Sequence, residues 1–275
     1  MSASPAHLAE LAALLLVIGG FAGVLAGLFG VGGGIVLVPA FYYAFASLGY
    51  DGPQIMQICL ASSLATIVFT SARSLQGHHA RGAVDWTVLR GWAPGLAIGA
   101  LLAVLIAGGL RTATLMRIFG LFGLCLGLWV GFGPDPKRLE PRMPSGLARM
   151  ALAPLVGFSS VLMGIGGGIA GVAIMRLSGV PFIRAVATAS GFGILIAVPS
   201  VIAFMTRGWD AALRPPFSIG LVNLPAVLII VTATLITTPL GVRLAHALPP
   251  LLLRRTFGAF AIVMALNMLR KAAAL

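Results

Sequence analysis

Gly30-Val31-Gly32-Gly33-Gly34 ends an apolar run that begins at Leu8, and Gly164-Ile165-Gly166-Gly167-Gly168 ends another about half the chain later. The offset between these clusters also takes Gly23 to Gly157. A glycine triplet breaks a helix, because glycine loses most backbone entropy on ordering and tolerates conformations that other residues avoid. Interrupted hydrophobic segments at matching places in two halves of a chain point to the binding site of a membrane transporter.

The rest of the 275-residue chain fits that setting. It is 59% hydrophobic and 9% charged, with a mean hydropathy of +1.07, against roughly 25% charged in an average soluble domain. A soluble fold of this length would leave too much apolar surface in water, so lipid is the expected solvent for most of it. The run from Leu8 to Phe29 is long enough to span, lacks the basic flank of a signal peptide and leads straight into the glycine break, so it reads as a retained helix. The net charge of +12 is scattered in ones and twos at segment ends. That is a topology signal and not a nucleic-acid surface.

Ten hydrophobic segments are expected, five per half, near 8–29, 35–48, 54–75, 87–108, 113–132, 149–163, 169–178, 183–205, 217–246 and 251–270. The predicted fold class is an all-α polytopic membrane protein of two inverted five-segment repeats, 1–132 and 149–275. The repeats are joined by a proline-rich loop at 133–148. An odd segment count per repeat inverts the second half. The second segment of each half is too short to span and reads as a half-helix dipping in from the glycine break, opened by Ile35 and by Ile169. Pro53 with Ala61-Ser62-Ser63 recurs as Pro181 with Ala189-Ser190-Gly191, and Arg117-Ile118-Phe119-Gly120 as Arg255-Thr256-Phe257-Gly258. With the inter-repeat loop inside, about twice as many Lys and Arg fall inside as outside, and both termini lie outside.

Two sets of residues are candidates for binding. Gly32, Gly33, Gly34, Gly166, Gly167 and Gly168 would expose the first-turn N–H groups of the half-helices, which with the helix dipole favour an anion. Gln57, Ser62, Ser63 and Thr66 in one third segment, and Thr188 and Ser190 in the other, would hydrogen-bond an oxyanion. The structural alternative for the glycines is close helix packing, the role expected of Gly19, Gly23, Gly27, Gly95 and Gly99. For the hydroxyls it is interhelical bonding or back-bonding to helix carbonyls.

The acidic residues Glu10, Asp51, Asp85, Asp135, Glu140 and Asp210 all fall near segment ends or in loops. Cation carriers and pumps commonly place carboxylates within the bundle, so the cargo expected here is a small anion. His78 and His79 are placed in a solvated loop with Arg81 and Asp85, and Arg184 and Arg243 are expected to snorkel to headgroups. Cys59 and Cys125 fit no disulfide or metal pattern. Neither a dinucleotide fingerprint, a phosphate loop nor a hydrolase triad is present, so no enzyme, catalytic residue, metal or cofactor is expected. The expected partners are a small anionic substrate and the lipid bilayer, not nucleic acid, and a homo-oligomer stays open.

At these residues the chain resembles the sulfite exporter TauE/SafE family of bacterial inner-membrane proteins. The resemblance rests on Gly27-Leu28-Phe29-Gly30-Val31-Gly32-Gly33-Gly34 with Val38-Pro39, on Met163-Gly164-Ile165-Gly166-Gly167-Gly168, and on the repeated Pro-then-Ala-Ser and Arg-x-Phe-Gly elements. Ala173 stands where Pro39 would map, and Gly191 where Ser63 would. The resemblance implies secondary transport of a sulfur-containing anion such as sulfite, a sulfonate or sulfoacetate. A passive anion channel and a non-transporting membrane accessory protein are the competing readings. Replacing Gly33 or Gly167 by Leu is expected to stop transport and leave the protein folded.

Overall fold

Long apolar runs in lipid must satisfy their backbone groups internally, which leaves helix as the local solution. The computed structural model describes residues 5–30, 32–133, 143–207 and 214–274. These form ten α-helices: α1 (Pro5–Phe29), α2 (Gly34–Ser47), α3 (Ile55–His79), α4 (Trp86–Ala107), α5 (Thr112–Phe132), α6 (Gly146–Leu162), α7 (Gly168–Leu177), α8 (Phe182–Thr206), α9 (Leu224–Ala247) and α10 (Pro250–Ala273). Seven are long and apolar enough to cross a membrane; α2, α6 and α7 are the shorter apolar ones. The α2 and α7 helices, of 14 and 10 residues, rise roughly 21 and 15 Å, half to two-thirds of a ~30 Å hydrocarbon core.

The predicted segments and observed helices agree except at a few boundaries. Both half-helices open one residue earlier than expected, at Gly34 and Gly168. The α6 helix starts at Gly146, inside the predicted loop, while Lys137, Arg138 and Arg142 of that loop lie outside the described residues. The expected segment at 217–246 is helical only from Leu224. Before it, β1 (Ser218–Ile219) and β2 (Val222–Asn223) form a small antiparallel hairpin. Phe217 and Gly220 there take positive φ, 59° and 56°. Asn223 then caps α9, its side-chain oxygen accepting from the Ala226 N–H at 3.1 Å.

Packing is dominated by four helix pairs: α1 with α9, α4 with α6, α5 with α10 and α3 with α8. Glycine allows the first two to approach closely. A Cβ at Gly23 would lie 2.7 Å from the Thr234 Cα, one at Gly19 3.1 Å from the Ile230 Cα, and one at Gly27 2.6 Å from the Val242 nitrogen. A Cβ at Gly95 would meet Ala153 at 2.7 Å, and one at Gly99 would overlap the Pro154 carbonyl. The five glycines expected to mediate packing therefore do so. The outer faces carry exposed large apolar side chains such as Val17, Leu105, Leu121, Leu228, Ile236 and Val263. The interior instead holds most of the hydroxyls, because α3 and α8 are the most enclosed of the spanning-length helices. Apolar-out and polar-in is the arrangement lipid requires.

Candidate functional site

Both glycine clusters break the helix. Gly30, Gly32 and Gly33 adopt φ of 63°, 73° and 81°, and Gly164 and Gly167 adopt 61° and 72°, the left-handed region open to glycine at little cost. Gly33 and Gly167 are the N-cap residues of α2 and α7. Within the first turn of α2 the Val36 N–H bonds back to the Gly33 carbonyl at 3.0 Å; the N–H groups of Gly34 and Ile35, and those that open α7, have no carbonyl partner within their own helix and sit at the breaks.

The two breaks meet beside the central turns of α3 and α8. A Cβ at Gly34 would overlap the Gly164 carbonyl oxygen and lie 2.9 Å from the Ile165 Cα. Each break also rests on the third helix of the other half. Gly30 abuts the Val186 carbonyl and Ser190 nitrogen of α8, and Gly164 abuts Leu60 of α3. Ser63 Oγ donates to the Gly164 carbonyl at 2.9 Å, and Thr70 Oγ1 to the Gly32 carbonyl at 3.0 Å, so α3 pins both breaks.

One hydroxyl at this junction is unspent. Ser71 is fully buried, and its Oγ has no hydrogen-bond partner among the described residues. It lies 3.1 Å from the Cβ position of Gly32 and occupies the space a side chain at Gly193 of α8 would need; the same Gly193 position lies 3.4 Å from the Gly166 carbonyl oxygen. A buried polar atom left unpaired costs free energy unless something else completes it. Sequence reasoning missed Ser71. It lies just over two α-helical turns beyond Ser63, and nothing in the local pattern separates it from its hydroxyl neighbours Thr70 and Ser74, which do find acceptors.

The six polar candidates are spread more widely. Ser62 Oγ accepts from the Asn223 N–H at 3.1 Å, and Thr188 Oγ1 accepts from the Asp85 N–H at 3.0 Å. Each thus holds the N-cap residue of a helix from the opposite half. Thr66 donates back to the Ser62 carbonyl and Ser190 to the Ala187 carbonyl, at 3.0 and 2.6 Å. Gln57 Nε2 donates to the Ala107 and Leu110 carbonyls at 3.2 and 2.7 Å, near the start of α3, while its Oε1 is buried without a partner. Of these six side chains only that of Ser63 hydrogen-bonds to a residue of the breaks.

The histidines differ from expectation. His78 is not in a solvated loop but buried in the last turn of α3. Its Nε2 lies 3.2 Å from the Gly27 carbonyl oxygen and its Nδ1 3.2 Å from His246 Nε2. A carbonyl only accepts, so Nε2 of His78 carries the proton; with both rings neutral, His246 Nε2–H then donates to His78 Nδ1. The pair closes the C-terminal end of α1, three residues before Gly30. His79 is exposed and accepts from Trp86 Nε1 at 3.3 Å. His78→Ala leaves Gly27 and His246 without this partner, and it is expected to lower stability by about 1–3 kcal/mol, read as a fall in Tm of the detergent-purified protein. The described carboxylates stay at the periphery: Glu10 and Asp51 are exposed, and Asp85 caps α4 by accepting from the Thr87 and Val88 N–H groups. Asp135, Glu140 and Asp210 lie outside the described residues.

The comparisons agree with this picture of a multi-pass membrane protein. A curated relative from Haemophilus influenzae, named probable membrane transporter protein, is 32% identical over 258 residues, covering 94% of this chain and 98% of that one. A second, from Methanocaldococcus jannaschii and also named probable membrane transporter protein, is 26% identical over 263 residues, covering 93% and 94%. No solved structure matches significantly. The sequence model described as sulfite exporter TauE/SafE matches residues 15–268, both glycine breaks included, and the chain belongs to that family.

Proposed function

We propose that this protein is a secondary transporter of the bacterial inner membrane that carries a small sulfur-containing oxyanion, of the sulfite, sulfonate or sulfoacetate class, by alternating access. The carrying observation is the meeting of the two helix breaks around a buried hydroxyl with no partner. The first turns of α2 and α7 supply main-chain N–H groups and the positive ends of two helix dipoles, and Ser71 Oγ supplies a donor. Charge is then stabilised inside the lipid by dipoles, while Arg254, a buried cation among the described residues, is engaged by the Val130 and Gly133 carbonyls at the end of α5.

The moving bodies are two inverted repeats, 1–132 and 149–275, joined by 133–148. The packing pattern supports duplication: α1 packs on α9 as α6 packs on α4, and α3 packs on α9 as α8 packs on α4. The cap bonds support inversion. Asp85, just past the end of α3, meets Thr188 in the first third of α8, while Asn223, past the end of α8, meets Ser62 in the first third of α3. The two third helices therefore run in opposite directions. Close packing of the breaks favours a carrier over an open pore, because an anion reaches the junction only when they part.

The test is flux in proteoliposomes. Sulfite or a sulfonate should move with saturable kinetics and be accelerated by unlabelled anion on the far side. Fast, poorly saturating current would establish the channel instead, and absence of flux for every sulfur oxyanion would remove the assignment.

A further inference from the structure

A cavity of about 270 Å³ opens between the end of α3 and α9, outside the glycine junction. Arg73, Gln76, Gly77 and Ala80 line one side, at the i, i+3, i+4 and i+7 spacing of a single helix face. Pro239, Val242 and Arg243 line the other at i, i+3 and i+4, and Arg81 completes the lining. At the back the helices touch, for a Cβ at Gly77 would lie 3.1 Å from Val242 Cγ1. Arg81 is tied to the α3 side by its Nη1, which donates to the Gly77 carbonyl at 2.8 Å.

Three arginines therefore border one small cavity, and none of the described carboxylates lines it. Like charges repel, and an anion among them offsets the repulsion. Guanidinium presents planar pairs of N–H donors that match the oxygens of a tetrahedral or pyramidal oxyanion. The volume is just below the usual range for ligand pockets, roughly 300–1,000 Å³, which suits an ion of a few heavy atoms. We infer that this cavity is an oxyanion site in which Arg73, Arg81 and Arg243 hold either a free solute anion or the phosphate of an anionic lipid headgroup. The histidine pair stands close to this lining in sequence, since His78 follows Gly77 and His246 lies three residues beyond Arg243.

This binding claim stands apart from the transport reading, so its test reads binding and not flux. The full chain is placed in nanodiscs of phosphatidylcholine alone and titrated with sodium sulfate against chloride at constant ionic strength. Arg73→Gln and Arg243→Gln, both at exposed positions that need not fold against anything, are each expected to weaken sulfate binding roughly tenfold. Ser71→Ala should leave this component unchanged, which separates it from any sulfate bound at the glycine junction. Native mass spectrometry with added phosphatidylglycerol then identifies the source. Lipid retained by wild type, lost in the arginine variants and displaced by sulfate assigns the site to a headgroup; sulfate binding without lipid retention assigns it to a solute. Equal affinity for both probes in wild type and in the double arginine variant overturns the site, as does failure of wild type to bind either.

Discussion

Gly34→Ala is expected to abolish transport and lower Tm by several degrees, although it adds one methyl group to a residue with helical φ. The methyl would be driven into the Gly164 carbonyl oxygen and to 3.0 Å from Ile67 Cδ1. A side-chain end can rotate away, but the carbonyl belongs to the backbone of the opposing break, which Ser63 and its own turn already hold. The breaks must separate, at a cost of about 1–3 kcal/mol for forced overpacking. Two control substitutions isolate the cause. Gly20→Ala has its nearest neighbour at 3.8 Å and should be silent. Gly49→Ala, at φ 84° with nothing within 4 Å, carries only the left-handed backbone penalty, about 1–2 kcal/mol, and should retain transport. Wild-type flux in Gly34→Ala would mean that contact between the breaks is not needed. The structure also revises what is expected of Gly33→Leu. A Cβ there sits at φ 81° and 2.9 Å from the Ala22 carbonyl oxygen, so stability falls along with transport.

Ser71→Ala should separate function from stability in the opposite sense. Its hydroxyl has no partner to lose, so Tm should hold or rise slightly. A hydrogen bond to a charged ligand is worth about 1.5–3 kcal/mol, so KM for the transported oxyanion should rise roughly ten- to a hundredfold. Ser63→Ala is the counterpart. It releases the Gly164 carbonyl from a 2.9 Å bond and should cost about 1 kcal/mol of stability. A Ser71→Ala protein with wild-type KM and an intact fold would remove this hydroxyl from the site and leave the half-helix N–H groups to carry it alone.

Much of the fold was legible in the sequence because it is locally caused. Helix ends followed from where apolar runs stop, and the α2 and α7 starts were placed to within a residue by their glycine triplets. The stretch at 217–223 was misread because an apolar run with Phe217, Ile219 and Val222 looks the same in a strand as in a helix end. The site was less legible. Ser62 and Ser63 are neighbours of the same type, yet one accepts from the α9 cap and the other donates to the second break. His78 was misplaced for the same reason, since its partner His246 is 168 residues away.

The sequence by itself determined that the chain lives in lipid, that it is helical and that its helices break twice, because composition and glycine act on the backbone within a few residues of where they stand. Only the tertiary structure decided that the breaks touch, that most candidate hydroxyls are already spent on caps and carbonyls, and that Ser71 is not. Whether a buried donor is free depends on which acceptors the fold brings within about 3 Å, and that is set by helices far apart in the chain.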